Sequence, residues 1–90
     1  MKDFITLIDN FLDSKIDFKE LENNFSELYL SDDYISEEEK DKFLSEIHYQ
    51  IDYVMENPDK ENKGYGFVDT KEFKEWLKDY KEKNIQFWKE

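Results

Sequence analysis

The chain of 90 residues has no cysteine, no arginine and no alanine, a single proline and a single histidine, and only two glycines. Without cysteine it can build no disulfide framework, thiolate metal site or thiol nucleophile, which fits a reducing compartment. Without arginine it lacks the guanidinium fork that usually reads carboxylates and phosphates. Both glycines sit in Gly64-Tyr65-Gly66, so a glycine-rich phosphate cradle is missing as well. No apolar run approaches the roughly 20 residues that span a bilayer. Met1-Lys2-Asp3 leads straight into an amphipathic pattern instead of a signal-peptide core, so a cytoplasmic protein is expected.

What the chain does contain is charge and aromatic rings. Charged residues make up 41 % and the mean hydropathy is -1.01, yet Phe, Trp and Tyr supply 18 % of the residues, enough large apolar surface for one core. A single domain over residues 1–90 is expected. The formal net charge is -11, unevenly spread. Residues 1–30 carry three Lys and seven acids (-4), residues 31–62 three Lys and eleven acids (-8), and residues 63–90 seven Lys and six acids (+1). Such a field repels nucleic acid and anionic membranes, so neither is an expected partner, and a protein partner should be basic.

The apolar spacing predicts helices. Phe4, Leu7, Ile8, Phe11 and Leu12 follow a 3.6-residue period, giving a helix over about residues 2–14. Asp17-Phe18-Lys19-Glu20 reads as a capping box with Ile16 and Leu21 as its staple, opening a helix whose face is Phe18, Leu21, Phe25, Leu28 and Tyr29. A turn at Ser31-Asp32-Asp33 and a second box, Ser36-Glu37-Glu38-Glu39, precede the third helix. Its inward stripe is Phe43, Leu44, Ile47, Ile51, Val54 and Met55, ending near Glu56 because Asn57 precedes Pro58. After a loop at 57–67, Asp69-Thr70-Lys71-Glu72 caps a last helix that buries Phe73, Trp76, Leu77 and Tyr80, with Ile85, Phe87 and Trp88 closing over the core. The fold expected is all-α, a single-domain antiparallel four-helix bundle.

Three constellations invite chemistry. Residues Glu61 to Glu72 place Gly66 at position 6 and Glu72 at position 12 of an EF-hand loop, but Glu61 holds position 1 and Lys63 and Tyr65 hold positions 3 and 5, where ligand oxygens belong. A loop ending in a helix cap explains the same residues, and no cofactor or metal is expected. Pairs of carboxylates are inevitable with 24 acids, and no Arg, Cys or second His completes an acid/base set, so no catalytic residue is expected. His48 flanks the third helix's inward stripe and reads as a partly buried, hydrogen-bonded histidine rather than a ligand.

More informative is the opposite side of the third helix. At about 100° per residue, Asp41, Ser45, Tyr49, Asp52, Tyr53 and Glu56 share one stripe, continued beyond the helix by Asp59 and Glu61. One reading is an anionic docking surface with two tyrosine anchors. The other is a solvated face whose tyrosines are covered by the 57–67 loop.

Leu7-Ile8-Asp9-Asn10-Phe11-Leu12-Asp13-Ser14-Lys15-Ile16-Asp17-Phe18-Lys19-Glu20-Leu21, then Asp52-Tyr53-Val54-Met55-Glu56-Asn57-Pro58-Asp59, then Tyr65-Gly66-Phe67-Val68-Asp69-Thr70-Lys71-Glu72-Phe73 resemble, in order, the colicin D immunity protein-like family of self-protective immunity proteins. The likeness spans about residues 4–80, with Glu56-Asn57 standing where that family commonly has Pro-Asp. The resemblance implies a small helical protein made beside a nuclease toxin, a transfer-RNA-cleaving ribonuclease in the namesake, whose active site it covers. It also implies that Asp52, Glu56, Asp59 and Glu61 face the toxin. Together with the tyrosines, the expected toxin-binding set is Tyr49, Asp52, Tyr53, Glu56, Asp59 and Glu61, on a free monomer that forms a 1:1 heterodimer with its toxin. A rival reading is an acidic helical adaptor or degenerate EF-hand-like regulatory module. A nucleic-acid-mimicking inhibitor of a DNA-binding protein is the third.

Overall fold

The computed structural model describes residues 1–31 and 38–89. Among these the chain is helical, with α1 (Lys2–Leu12), α2 (Phe18–Tyr29), α3 (Glu38–Ile51), α4 (Lys60–Gly64), α5 (Thr70–Lys83) and a 3-10 turn at Ile85–Trp88. The protein is therefore all-α. The only β pairing among the described residues is an isolated parallel bridge between Val54 and Val68. Among the described residues no helix is long and apolar enough to cross a membrane.

Local chemistry sets most helix ends. Asp17 and Asp69 stand in extended conformation ahead of α2 and α5, and their Oδ1 atoms accept from Glu20 N at 2.9 Å and Glu72 N at 2.7 Å. Neither acid completes the reciprocal half of its capping box. The Glu72 carboxylate turns to Lys63 instead, with Nζ 3.1 Å from Oε1 as an ion contact rather than an aligned hydrogen bond. At the end of α1, Lys15 N donates to Asn10 O and Ser14 N to Phe11 O. That bond pattern ends the helix with Ser14 in the left-handed region, at φ 62°.

α1 packs on α2 and α5, and α3 also packs on α2 and α5. Their apolar stripes meet in one cluster in which Ile8, Leu21, Phe25, Ile47 and Leu77 are wholly buried. Each such side chain contributes about 1.5–3 kcal/mol of burial. Aromatic edges fill the space between helices: Phe4 meets Phe25 at 5.2 Å and Phe18 meets Phe73 at 5.6 Å between ring centroids. The C-terminal turn is fastened to α1 by Asp9, whose Oδ1 accepts from Lys81 Nζ at 2.7 Å and from Trp88 Nε1 at 3.0 Å.

Several expectations are corrected. The segment 57–67 is not all loop, because Asp59 Oδ1 accepts from Asn62 N at 2.8 Å and starts the short helix α4. α3 ends at Ile51 rather than near Glu56, for the reason given below. Of the tail, Phe87 is buried and Trp88 half-buried, while Ile85 faces solvent. His48 is half-buried as expected, but it makes no hydrogen bond among the described residues and is held by stacking on Tyr29 at 4.7 Å and 10°. The expected turn at Asp32-Asp33 and the capping residues Ser36 and Glu37 lie outside the described residues.

Candidate functional site

The acidic tyrosine face is built where α3 stops. Ile51 is buried and anchors the last turn, after which Tyr53 N donates to Gln50 O at 3.0 Å and Val54 N to Ile51 O at 3.2 Å. These tightened bonds use the final carbonyls of the helix. The chain then straightens, because Met55 N donates to Val68 O at 2.9 Å and Val68 N donates to Tyr53 O at 3.0 Å. Those two bonds to the segment before α5 draw residues 53–55 out of the helix. Beyond them Asn57 takes φ 47°, a conformation that Asn tolerates better than most side chains.

The latch also sets Tyr53. Its ring is half-buried against Phe67, 5.2 Å away, and lies over Gly66, where an added Cβ would meet Tyr53 Cδ1 at 3.8 Å. That distance is an ordinary contact, so glycine serves here for its backbone freedom, at φ 96°, and not for space. Tyr49, one turn earlier on α3, is 54 % exposed and stands tilted to Tyr53 with ring centroids 5.0 Å apart. The Tyr49 hydroxyl donates to the Tyr53 hydroxyl at 3.3 Å. That bond raises the Tyr49 pKa above 10.0, helped by the charge that Tyr53 can carry, by burial and by Glu46.

The structure thus brings Tyr49 and Tyr53 together. Asp52, Glu56 and Glu61 are exposed and make no hydrogen bond or ion pair among the described residues. Asp59 is exposed too, but one carboxylate oxygen is engaged as the N-cap of α4. The helical wheel put Asp52, Tyr53 and Glu56 on the tyrosine stripe by period alone, whereas all three lie past the last helical residue. Tyr53 reaches Tyr49 through the turn and the Val68 latch rather than through a continuing helix.

Two aromatic residues escaped sequence reasoning. Phe67 supports Tyr53 from below, and Tyr65, between the glycines, is 70 % exposed. The flanking glycines were the available signal, since a large ring held in a glycine-flanked turn has no core stripe to join. The EF-hand pattern fares differently. Its third and twelfth residues, Lys63 and Glu72, are paired with each other, so an ammonium stands beside the carboxylate that a bound Ca²⁺ would need. No group of three or more His, Cys, Asp or Glu side chains able to hold a metal occurs among the described residues.

Glu46 links this face to a second feature. It lines an open cleft between α3 and α5 with Phe43, Trp76 and Tyr80, and its charge also raises the pKa of Tyr80, in which burial is the larger cause. Comparison of the chain with protein-family models, with curated proteins and with solved structures finds no match in any of the three.

Proposed function

We propose that this chain is an immunity protein, which binds a basic nuclease toxin and blocks it with the acidic tyrosine face at the end of α3. In this reading the four long helices form an antiparallel four-helix bundle, and the protein is a cytoplasmic monomer when free and a 1:1 partner of its toxin when bound. The carrying observation is the Tyr49–Tyr53 pair, hydrogen-bonded and partly exposed at the end of α3, with exposed carboxylates at Asp52, Glu56 and Glu61 in the chain that follows, none of them paired with a cation among the described residues. The core is complete without Tyr49, so nothing in folding requires that phenol at the surface.

The chemistry suits the role. A ribonuclease site is lined with cations that hold phosphates, and an array of carboxylates can occupy it by matching charge without resembling RNA in any other way. Complementary fields steer association toward about 10⁸–10⁹ M⁻¹s⁻¹ at low salt, and tyrosines buried on docking slow dissociation. The sequence resemblance to colicin D immunity-like proteins supports the same reading.

The test is co-expression with the nuclease domain of a secreted toxin encoded beside this chain. Reversing Asp52 and Glu56 to Lys should weaken binding at least about 30-fold per residue and abolish protection, with an unchanged circular dichroism spectrum. Protection that survives both reversals would overturn this face.

A further inference from the structure

Tyr49 and Tyr53 are placed for a reaction as well as for contact. Their hydroxyl oxygens are 3.3 Å apart, their ring centroids 5.0 Å apart and their planes inclined at 40°. At that spacing a small side-chain rotation brings an ortho carbon of each ring, the Cε beside its hydroxyl, up to the other. Tyr49 is 54 % exposed and so open to a reagent in solution, while Tyr53 is held half-buried behind it by Phe67.

The rest of the chain directs an oxidant to this pair. There is no cysteine thiol to be oxidised first. Tyr29 and Tyr80 are half-buried against His48 and against Phe43 and Trp76. Tyr65 is more exposed than Tyr49, but it has no ring beside it among the described residues. A radical formed there would need a second molecule to couple with, and copies of a chain with net charge -11 repel one another. At Tyr49 the partner ring is already in place, so coupling within the pair is effectively unimolecular.

We propose that Tyr49 and Tyr53 form an oxidative cross-linking site, joined through their ortho carbons into dityrosine by a haem peroxidase with hydrogen peroxide. Tyr49 gives up its hydroxyl hydrogen, as one proton and one electron, to the oxidant. The resulting oxygen radical takes the hydroxyl hydrogen of Tyr53 across their contact, and Tyr49 is then oxidised a second time. Spin on each ring is shared with the ortho carbons, where one Cε–Cε bond forms. Each coupled carbon then releases its hydrogen as a proton and each oxygen regains one, which restores two aromatic phenols. The pair has lost two electrons and two protons in all, and one peroxide takes them up as two waters. The effect on docking rests on the function proposed above: two separable phenols become one rigid anchor, more acidic because each hydroxyl can hydrogen-bond the other's phenolate.

Treatment of the intact, dilute protein with a haem peroxidase and hydrogen peroxide tests the site. Trypsin releases residues 43–60 as one peptide that holds Tyr49 and Tyr53 and no other tyrosine. The expected result is blue dityrosine emission from a monomeric product, in a yield independent of protein concentration. Peptide 43–60 should lose the mass of two hydrogens and give no fragment ions from breaks between residues 49 and 53. Tyr49→Phe and Tyr53→Phe should each abolish the emission, and Tyr65→Phe should leave it unchanged. Covalent dimers as the main product, emission that survives Tyr49→Phe, or a peptide 43–60 of unaltered mass would overturn the proposal. The assay contains no toxin, so its failure leaves the docking face standing, and protection that survives the Asp52 and Glu56 reversals leaves the cross-link standing.

Discussion

The hydroxyl of Tyr49 donates to that of Tyr53 across 3.3 Å, at the point where α3 gives way to an extended segment. Because Tyr49 is the donor, removing its proton breaks the bond and places a negative charge beside a second phenol. Both effects hold its pKa above 10.0. Tyr53→Phe should therefore move the Tyr49 titration down toward the ordinary value, read as tyrosinate absorbance, and leave the urea midpoint unchanged because Tyr49 is largely solvated. An unmoved titration would mean that the hydroxyl contact does not persist in solution. For docking the consequence is direct, since Tyr49, with its pKa raised, stays neutral throughout the physiological range and offers ring area without adding to the surrounding charge.

Tyr80 behaves differently because its environment is apolar. Its pKa rises from 10.0 to about 12, first through burial and then through Glu46, so the folded state holds the proton longer than the unfolded chain does. The associated stability is fully present below pH 10 and is lost as pH rises through about 12. Tyr80→Phe should remove that alkaline loss, and at neutral pH it should cost about 0.5–1.5 kcal/mol for the hydrogen bond to Phe43 O. Urea titrations at neutral and alkaline pH compare the two chains. A wild-type curve that falls no faster than that of Tyr80→Phe would contradict the assignment.

Much of the fold was legible because much of it is local. The 3.6-residue stripes of α1, α2 and α5 identify the buried Phe4, Leu7, Ile8 and Phe11, then Leu21 and Phe25, then Phe73 and Leu77. The caps Asp17 and Asp69 were readable from their side chains alone. The end of α3 was not, because two hydrogen bonds to Val68, a residue distant in sequence, decide it, and no property of residues 52–56 announces them. The same holds for Asp9, whose partners Lys81 and Trp88 are 72 and 79 residues away, and which looks in sequence like any other surface acid of α1. At the candidate site the residue types were visible while their support was hidden. Tyr49 and Tyr53 stand out in the sequence, but Phe67 and Gly66, which seat Tyr53, are recognisable only once the chain has folded back. The aromatic cleft was equally hidden, since its walls come from three separate segments.

Ser14 offers a prediction whose sign depends on backbone geometry alone. It occupies the left-handed position after α1, at φ 62°, where an L side chain costs about 1–2 kcal/mol that glycine avoids. Glycine in turn loses more chain entropy on folding, by roughly 0.5–1 kcal/mol. The Ser14 hydroxyl also accepts from Lys74 Nζ, but this contact is exposed and contributes little. Ser14→Gly should therefore stabilise the protein by about 0.5–1 kcal/mol, which for a chain of this length raises Tm by about 2–8 °C. Asp13 is the internal control. It precedes Ser14 with φ -84°, a conformation any residue adopts, so Asp13→Gly carries the entropy cost with no strain to relieve and should lower Tm. If both glycines shift Tm in the same direction, the left-handed turn at Ser14 is not what ends α1.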